Sequence, residues 1–238
     1  MRTLLSNSCS SYLIAQAQRS GCLPAHTLPA LTISRETGAG GITIAQLIAD
    51  YLRTKQIAGE APWTVFDRNL VAEVIEEHKL PKTANQYMQE DRRPAISDAV
   101  ESLLGLHPGN WTLTEHTSHT ILHLARFGHV ILVGRGANFI AANLSHVFNV
   151  RLTAPLEDRA RHVAEYYRLT KGAAAEFVRV KDRGRARYVR QHFSARISDP
   201  LAYDLTINTK RITFQEAAQL IGQAVLSRQA RSDDGMTI

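Results

Sequence analysis

The sequence predicts an α/β protein in three layers, with a parallel sheet of about five strands and helices on both faces. Short apolar runs alternate with longer stretches whose apolar residues recur at helical spacing, which is typical of such a sheet. A loop with three glycines follows the first run and leads directly into an amphipathic helix. Because ligands of parallel sheets bind beyond the carboxyl ends of the strands, we expect the functional site there.

Each predicted strand is a short run rich in apolar and β-branched residues, bounded by polar or glycine-containing turns. The five predicted strands are residues 31–34, 64–66, 130–134, 147–152 and 205–208. Helices are predicted where apolar residues return every three or four positions. These helices are residues 43–55, 69–78, 114–127, 156–168, 173–183 and 214–226.

Composition and charge narrow the class of protein. Of 238 residues, 44% are hydrophobic and 21% are charged, which fits a soluble globular domain with a sizeable core. The net charge of +6 suits an anionic substrate, and without a basic tail or an interleaved aromatic array we expect no nucleic-acid partner. No apolar run approaches the ~18 residues of a membrane span, so we expect no membrane partner. The sequence leaves open whether the protein forms a homo-oligomer.

The two ends of the chain differ from its body. Residues 1–29 contain no acidic residue, and we interpret them as an extension with a short helix at 12–18 and a linker; an organelle transit peptide is the alternative. Cys9 and Cys22 are too few for a disulfide framework or a four-ligand zinc site. We therefore expect a reducing, cytoplasmic setting. Residues 229–238 are predicted to form a flexible tail.

The glycine-containing loop resembles a phosphate-binding loop but departs from it. In the pattern G-x-x-x-x-G-K-[ST], the lysine reaches the β and γ phosphates. When the pattern is aligned with this loop, Arg35 stands at the position of the first glycine, Gly40 at that of the second glycine and Gly41 at that of the lysine. Thr43 follows one residue later than the Ser or Thr of the pattern. An ordinary strand–helix turn is the alternative reading. The predicted phosphate-binding residues are Gly38, Ala39, Gly40, Gly41, Ile42 and Thr43.

Five stretches of the chain, in order, resemble the cytidylate kinase-like family, relatives of bacterial cytidylate kinase among the nucleoside monophosphate kinases. They are S-R-E-T-G-A-G-G-I-T-I-A at 34–45, W-T-V-F-D-R-N-L-V at 63–71, V-I-L-V-G-R-G-A-N at 130–138, V-K-D-R-G-R-A-R-Y at 180–188 and Y-D-L-T-I-N-T at 203–209. The resemblance spans roughly residues 31–226, nearly everything except the two ends.

This resemblance implies a P-loop NTPase fold of the nucleoside monophosphate kinase type over residues 30–228. It also implies transfer of the ATP γ-phosphoryl group to a nucleoside monophosphate such as CMP, with Mg²⁺. Residues 79–110 would be the nucleotide-binding insertion and residues 170–198 the lid. The missing lysine keeps two alternatives open: a nucleotide- or phosphate-binding module that has lost turnover, or a kinase for another small molecule.

Resemblance also implies two substrate-binding residues. Asp67 matches the aspartate of the family's D-S-G motif, and a helix N-cap is the alternative role. Arg135 matches the arginine of the family's R-D pair, which binds the monophosphate, although Gly136 replaces the aspartate. A guanidinium can bind a phosphate through two parallel hydrogen bonds; a structural ion pair with a carboxylate is the alternative role of Arg135.

Further arginines are candidates for the charge that the missing lysine would supply. The densest basic cluster consists of Lys181, Arg183, Arg185, Arg187 and Arg190, and the resemblance makes it the lid, whose arginines would close over the transferring phosphate. Arg183, Arg187 and Arg190 fall at i, i+4 and i+7, the spacing of one helical face; a solvated basic face is the alternative. Arg35 stands at the mouth of the glycine-containing loop, where it would either fold back towards the phosphates or pair with Glu36 or Asp67. The candidate catalytic residues are Arg35, Arg183 and Arg187.

Histidines recur along the helix predicted at 114–127. His116, His119 and His123 share one face, a spacing at which imidazoles bind zinc. No cysteine or carboxylate pairing completes a site, so we expect packing roles and predict no metal-ligating residues in the chain.

Overall fold

The sheet is parallel throughout the part of the chain that the computed structural model describes, residues 28–56, 61–67, 109–134 and 136–233. Its five strands lie in the order β2-β3-β1-β4-β5. They are β1 (Ala30–Arg35), β2 (Thr64–Phe66), β3 (Val130–Val133), β4 (Val147–Thr153) and β5 (Leu205–Asn208). All five predicted strands are confirmed, with ends within one residue of the predicted ones.

Helices follow most strands in the described ranges. They are α1 (Gly41–Arg53), α2 (Gly109–Phe127), α3 (Ala137–Ile140), α4 (Leu156–Tyr167), α5 (Lys171–Phe193) and α6 (Phe214–Asp233), with a 3₁₀ turn at Pro200–Ala202. The helix predicted at 69–78 lies outside the described residues, as do residues 1–27, 79–108 and 234–238 of the other predicted segments.

The extent predicted for the helix at 173–183 is wrong, because α5 continues to Phe193. Gly184 and the dense positive charge weaken the local helical signal. The helix persists because one face of it stays buried or half-buried beyond that glycine. Val178, Asp182, Arg185 and Val189 lie on this face at i, i+4, i+7 and i+11.

Helices cover both faces of the sheet, as predicted. The chain moves in one direction along the sheet through α1 and in the other through α2 and α3, and right-handed crossovers then place these helices on opposite faces. One core joins α1 and α6 to inward residues of the sheet such as Ile33, Val150 and Ile207. A second joins α2 and α3 to the other face through Val130, Leu132 and Phe66.

Helices α4 and α5 have an apolar cluster of their own. Ala160 and Val163 of α4 are buried together with Ala174 and Val178 of α5. This helical hairpin contains most of the segment predicted as a lid, and that assignment stays a prediction. No helix in the described ranges combines the length and apolarity that crossing a membrane requires.

The strand register brings four loops to the same edge of the sheet. Ile33 of β1 pairs with Val133 of β3, and Arg35 pairs with Leu152 of β4. Thr153 in turn pairs with Asn208 of β5. The segments after β1, β3, β4 and β5 therefore all begin at the carboxyl edge, where the candidate site lies.

Candidate functional site

The glycine loop, residues 36–40, connects β1 to α1 and requires glycine at two positions. Gly38 and Gly40 have φ values of +84° and +82°, in the left-handed region that glycine adopts without strain. The N–H group of Ala39 donates to the carbonyl of Glu36 at 3.2 Å and closes a turn. The loop is therefore folded so that its last residue, Gly40, becomes the N-cap of α1.

The N-terminus of α1 carries free hydrogen-bond donors. No side chain caps this helix. Within the described ranges, the backbone N–H groups of Gly40, Gly41, Ile42 and Thr43 have no acceptor. Such N–H groups and the helix dipole favour an anion. The structure therefore brings the predicted phosphate-binding residues together as a cradle of donors.

Arg35 runs across the position that a P-loop lysine would occupy. A methyl group added at Gly41 would lie 2.8 Å from Cγ of Arg35. A methyl group at Gly134, just after β3, would collide with Nη1 of the same arginine. The side chain thus passes over the start of α1 and places its guanidinium beside the β3–α3 loop. A positive charge is present next to the cradle although the lysine is absent.

Aromatic side chains cover the opposite side of the glycine loop. A methyl group at Gly40 would lie 2.5 Å from the ring of Phe214, the first residue of α6. His162 of α4 donates from Nδ1 to the carbonyl of Gly38 at 3.1 Å. The His162 and Phe214 rings meet edge to face, with centroids 5.6 Å apart. The loop is consequently packed between α4 and α6.

Arg159 of α4 is a buried cation that binds the glycine loop and the end of β4. Its Nε donates to the carbonyl of Ala154 at 2.7 Å and lies 3.3 Å from a carboxylate oxygen of Glu36. Its Nη1 donates to the carbonyl of Thr37 at 3.1 Å. The Glu36 carboxylate also accepts the N–H of Ala154 at 3.1 Å. Only 9% of the Arg159 side chain is exposed, so these contacts replace its hydration.

Asp182 connects α5 to the same loop. One carboxylate oxygen accepts the backbone N–H of Thr37 at 2.8 Å and its hydroxyl at 2.7 Å. The other oxygen accepts Nη1 of Arg159 at 2.6 Å. Arg185, one turn further along α5, donates from Nη1 to the Thr37 hydroxyl and, at 3.1 Å, to Asp182. Two cations and the carboxylates of Glu36 and Asp182 therefore alternate across the loop.

A cleft opens between the end of β1, the β3–α3 loop and α5. Two cationic side chains line it, and one buried donor faces it. Asn138 of α3 is 6% exposed, and its Nδ2 has no acceptor among the described residues. A buried donor without a partner is costly, which is typical of a position that a ligand satisfies. The lining residues are Ser34, Arg35, Gly134, Gly136, Asn138, Arg185, Tyr188, Val189 and Ile197.

The Ser34 hydroxyl belongs to the wall of this cleft rather than to its donors. Nη1 of Arg151 donates to Ser34 Oγ at 2.9 Å. The single hydroxyl proton of Tyr203 goes to the carbonyl of Ile197, 2.8 Å away, because that oxygen can only accept. Ser34 Oγ lies 3.2 Å from Tyr203 Oη and can donate its own proton to that oxygen. Arg35, Arg185 and Asn138 are residues of the lining that bring N–H donors to the cleft.

An ion pair joins α4 to the segment after β5 at the rim of the site. Nζ of Lys210 lies 2.7 Å from Oδ1 of Asp158, and Arg161 contacts the same oxygen. The hydrogen bond from Lys210 is the main reason that the pKa of Asp158 lies below its ordinary value; the positive charges of Lys210 and Arg161 add to it, against a smaller effect of burial.

The other predicted site residues are placed as follows. Asp67 follows β2 at the carboxyl edge, since Phe66 pairs with Leu132 of β3. Arg135 lies outside the described residues, although Gly134 and Gly136 on either side of it line the cleft. Both roles stay proposals.

On α5, Arg183, Arg187 and Arg190 of the predicted lid cluster do not lie on the face that contacts the loop. Arg183 donates to Glu176 at 3.0 Å, and 66% of its side chain is exposed. Arg187 is half-buried and Arg190 is exposed. The arginine of this cluster that contacts the glycine loop is Arg185. Catalytic roles for Arg183 and Arg187 remain untested predictions.

The histidine face predicted on α2 is described only at His123. This residue is exposed, and its ring lies 6.2 Å from that of Phe127. The side chains of His116 and His119 lie outside the described part of the chain.

Sequence reasoning missed Arg159, Asp182 and Asn138. Asp182 carries a usable signal, because it is an acid inside a run of five cations and lies three residues before Arg185. Arg159 and Asn138 stand in unremarkable helical sequence. Their roles depend on contacts with segments that are more than a hundred residues away or on the shape of the cleft.

Comparison with known proteins agrees with this architecture. The sequence pattern that defines the cytidylate kinase-like family matches residues 30–211 of this chain. The chain is similar to a cytidylate kinase of Halobacterium salinarum, with 23% identity over 216 residues, 87% of this chain and 94% of that protein. It is also similar to a cytidylate kinase of Haloquadratum walsbyi, with 27% identity over 106 residues, 44% of this chain and 55% of that protein.

Among solved structures, a crystal structure of a protein from Eubacterium ventriosum has the same fold. The two superpose with a TM-score of 0.61 at 16% identity, over 84% of this chain and 99% of the other. The likeness concerns the fold alone, and it agrees with the parallel five-stranded sheet and the helical layers described above. Because the family pattern covers most of the sequence, from β1 to the segment after β5, the chain belongs to the cytidylate kinase-like family.

Proposed function

We propose that this protein is a kinase that transfers the γ-phosphoryl group of ATP to a nucleoside monophosphate, with CMP as the first acceptor to test. Membership of the cytidylate kinase-like family supports a nucleotide or small-molecule kinase. One observation carries the finer proposal: unpaired N–H donors at the start of α1 lie beside a cleft that Arg35 and Arg185 line. That combination suits an anion on one side and a second phosphate on the other.

Each described residue of the site has a role in this proposal. The N–H groups of residues 40–43 would hold the donor phosphates. Arg35 and Arg185 would neutralise charge on the phosphoryl oxygens, which is most of what such catalysis demands of a protein. Asp67 and Arg135 are proposed to hold the acceptor, at the carboxyl edge of β2 and β3.

The residues present fit a magnesium–nucleotide complex. Magnesium in such sites keeps several waters and is held mainly by substrate phosphates with one or two protein oxygens. Thr43, exposed in the first turn of α1, offers the hydroxyl that a Ser or Thr supplies in a standard P-loop. When bound, ATP with Mg²⁺ supplies the phosphoryl group and part of the charge neutralisation.

A second candidate function is a nucleotide- or phosphate-binding module without turnover. The observation that favours it is Gly41, which leaves α1 without the lysine that normally contacts the β and γ phosphates. A kinase acting on another small molecule is the third candidate, since the geometry of the described residues fits a phosphate better than any particular base.

A coupled assay with ATP, Mg²⁺ and a panel of nucleoside monophosphates tests the proposal. We expect ADP release that depends on the acceptor, strongest with CMP. Gly40→Val, purified in the same way, controls for contaminating kinases, because a branched side chain at φ +82° is strained and meets Phe214. If the protein binds ATP but transfers phosphate to no monophosphate, the kinase proposal is wrong and the binding module without turnover is the better account. No ATP binding by calorimetry would overturn both.

A further inference from the structure

The contact between α5 and the glycine loop is built from charged groups rather than from apolar packing. Asp182 accepts two hydrogen bonds from Thr37, one from the backbone and one from the hydroxyl. These residues are 145 positions apart in sequence, so the bonds join two separate parts of the site. A carboxylate that accepts a loop N–H holds the helix at a defined distance and angle from the loop.

Arg159 makes this contact specific. Its Nη1 donates to both Asp182 and the carbonyl of Thr37, and its Nε lies beside Glu36. A buried guanidinium without a carboxylate partner is strongly unfavourable. Withdrawal of α5 from the loop would take from Arg159 one of its two described carboxylate partners, and would leave Asp182 with Arg185 of its own helix. The charges therefore favour the arrangement in which α5 lies against the loop.

The same contact determines where Arg185 points. Asp182 and Arg185 are three residues apart on one face of α5, and Nη1 of Arg185 is shared between Asp182 and the Thr37 hydroxyl. The arginine lines the cleft together with Arg35 and Asn138, whose Nδ2 has no acceptor in the described part of the chain. Arg183, on a different face of the helix, binds Glu176 instead. Helix position and side-chain anchoring together select Arg185 as the arginine of α5 that faces the cleft.

We propose that Asp182 and Arg159 are a positioning pair that fastens α5 to the glycine loop and aims Arg185 at the phosphoryl group during transfer. The last step rests on the proposed function, whereas the fastening does not. Neither residue of the pair needs to touch the substrate. Arg185 would be the catalytic residue, and its side chain would bring the cationic charge to the cleft from the side opposite Arg35.

A double-mutant cycle tests whether Asp182 acts through Arg185. Asp182→Ala and Arg185→Ala should each lower kcat by ~10²-fold, the typical cost of one lost donor at such a site. The double variant should lie within about threefold of Arg185→Ala, because residues that act as a unit are not additive. Asp182→Asn, which retains one acceptor oxygen for Thr37, should fall between parent and Asp182→Ala. Asp50→Ala, which removes an exposed ion pair on α1, is the matched control and should behave as the parent.

Independent losses that multiply in the double variant, or parent-like turnover in both Asp182 variants, would overturn the positioning role. Hydrogen exchange of α5 in the protein without nucleotide provides a readout that needs no turnover. Asp182→Ala and Arg159→Ala should speed exchange of the α5 amides around residue 182 at least ~10-fold, and Asp50→Ala should not. If the parent binds ATP but transfers nothing, the proposed function fails and this exchange decides the fastening by itself. Exchange as slow as in the parent would reject the fastening.

Discussion

Gly41 stands where a standard P-loop has its lysine, and Arg35 brings a positive charge to the neighbouring space. A lysine at position 41 would project from the first residue of α1, but the aliphatic part of Arg35 already fills the space beside that α-carbon. The guanidinium then lies next to Gly134, on the cleft side of the cradle. The positive charge is thereby supplied from the end of a strand instead of the start of a helix. We propose that this exchange preserves charge stabilisation in the absence of the lysine.

A charge relocation tests that idea. Arg35→Ala should lower turnover at saturating ATP by ~10²–10³-fold. Arg35→Ala combined with Gly41→Lys should recover at least ~10-fold, because removing the arginine frees the space that the lysine needs. Gly41→Lys alone should not raise turnover, since its Cβ would meet Arg35. Steady-state kinetics with the best acceptor measures all three.

Arg179→Ala, an exposed position on α5 beside Glu176, is the control for general loss of positive charge. Parent-like turnover in Arg35→Ala would contradict the substitution of lysine by arginine. Absence of recovery in a correctly folded double variant would show that the position of the charge, and not its presence, decides the rate.

Among the helices, α1 differs from α5 and α6 in how its first turn is satisfied. Thr170 caps α5 by accepting the N–H of Ala173. At the start of α6, Glu216 accepts both the N–H and the hydroxyl of Thr213, and Thr213 Oγ1 accepts the N–H of Glu216 in return. This capping box satisfies the terminal donors internally. No side chain caps α1, so its donors remain for a ligand.

The capping box predicts a dependence of stability on pH. The hydrogen bonds from Thr213, first that of its backbone, hold the pKa of Glu216 below its ordinary value. A lowered carboxyl pKa stabilises the fold above the unfolded value of 4.5, and this contribution disappears as the pH falls through the lower folded value. The parent should therefore be more stable than Glu216→Gln at pH 7, and the difference should shrink as the pH falls below 4.5. Thermal unfolding of both proteins across pH measures it.

Glu157→Gln, in the first turn of α4, is the control for loss of a carboxylate near a helix N-terminus that lacks a side-chain cap. A gap between parent and Glu216→Gln that persists undiminished at the lowest pH would contradict the charged role of Glu216.

Across the whole molecule, Arg159 is the point where separate segments meet. It contacts the loop after β1, the residue after β4 and the middle of α5. These contacts join segments that are far apart in the chain: Thr37 lies 122 residues before Arg159, and Asp182 lies 23 residues after it. The arrangement of the site thus depends on one buried cation more than on any continuous apolar surface.

Removal of that cation should therefore be costly. Arg159→Ala should lower the free energy of unfolding by about 3–5 kcal/mol, because it leaves the carboxylates of Glu36 and Asp182 without their shared partner. Arg161→Ala, two residues along the same helix, should remain close to the parent, since 60% of the Arg161 side chain is exposed and Asp158 keeps its pair with Lys210. Chemical denaturation followed by circular dichroism measures both. Equal stability of the two variants would contradict the central place of Arg159.

Local pattern was sufficient to predict the sheet and the cradle. Runs such as β3 and β4 are apolar because parallel strands are covered on both faces, and burial of that kind is visible in sequence. The glycines at 38 and 40 are visible for a comparable reason, since positive φ is a local requirement. The end of α5 was not predictable in this way, because its last turns are held by contacts with the body.

What the sequence alone determined is therefore the order of strands and helices along the chain, the family and the position of the glycine loop. Only the tertiary structure decided that Arg185, and not Arg183, contacts the glycine loop, and that Asp182 and Arg159 hold it there. Periodicity records which side of a helix is buried, but Asp182 and Arg183 are adjacent and equally polar. Their roles differ because Asp182 contacts Thr37, which lies 145 residues earlier in the sequence, whereas Arg183 pairs with Glu176 of its own helix.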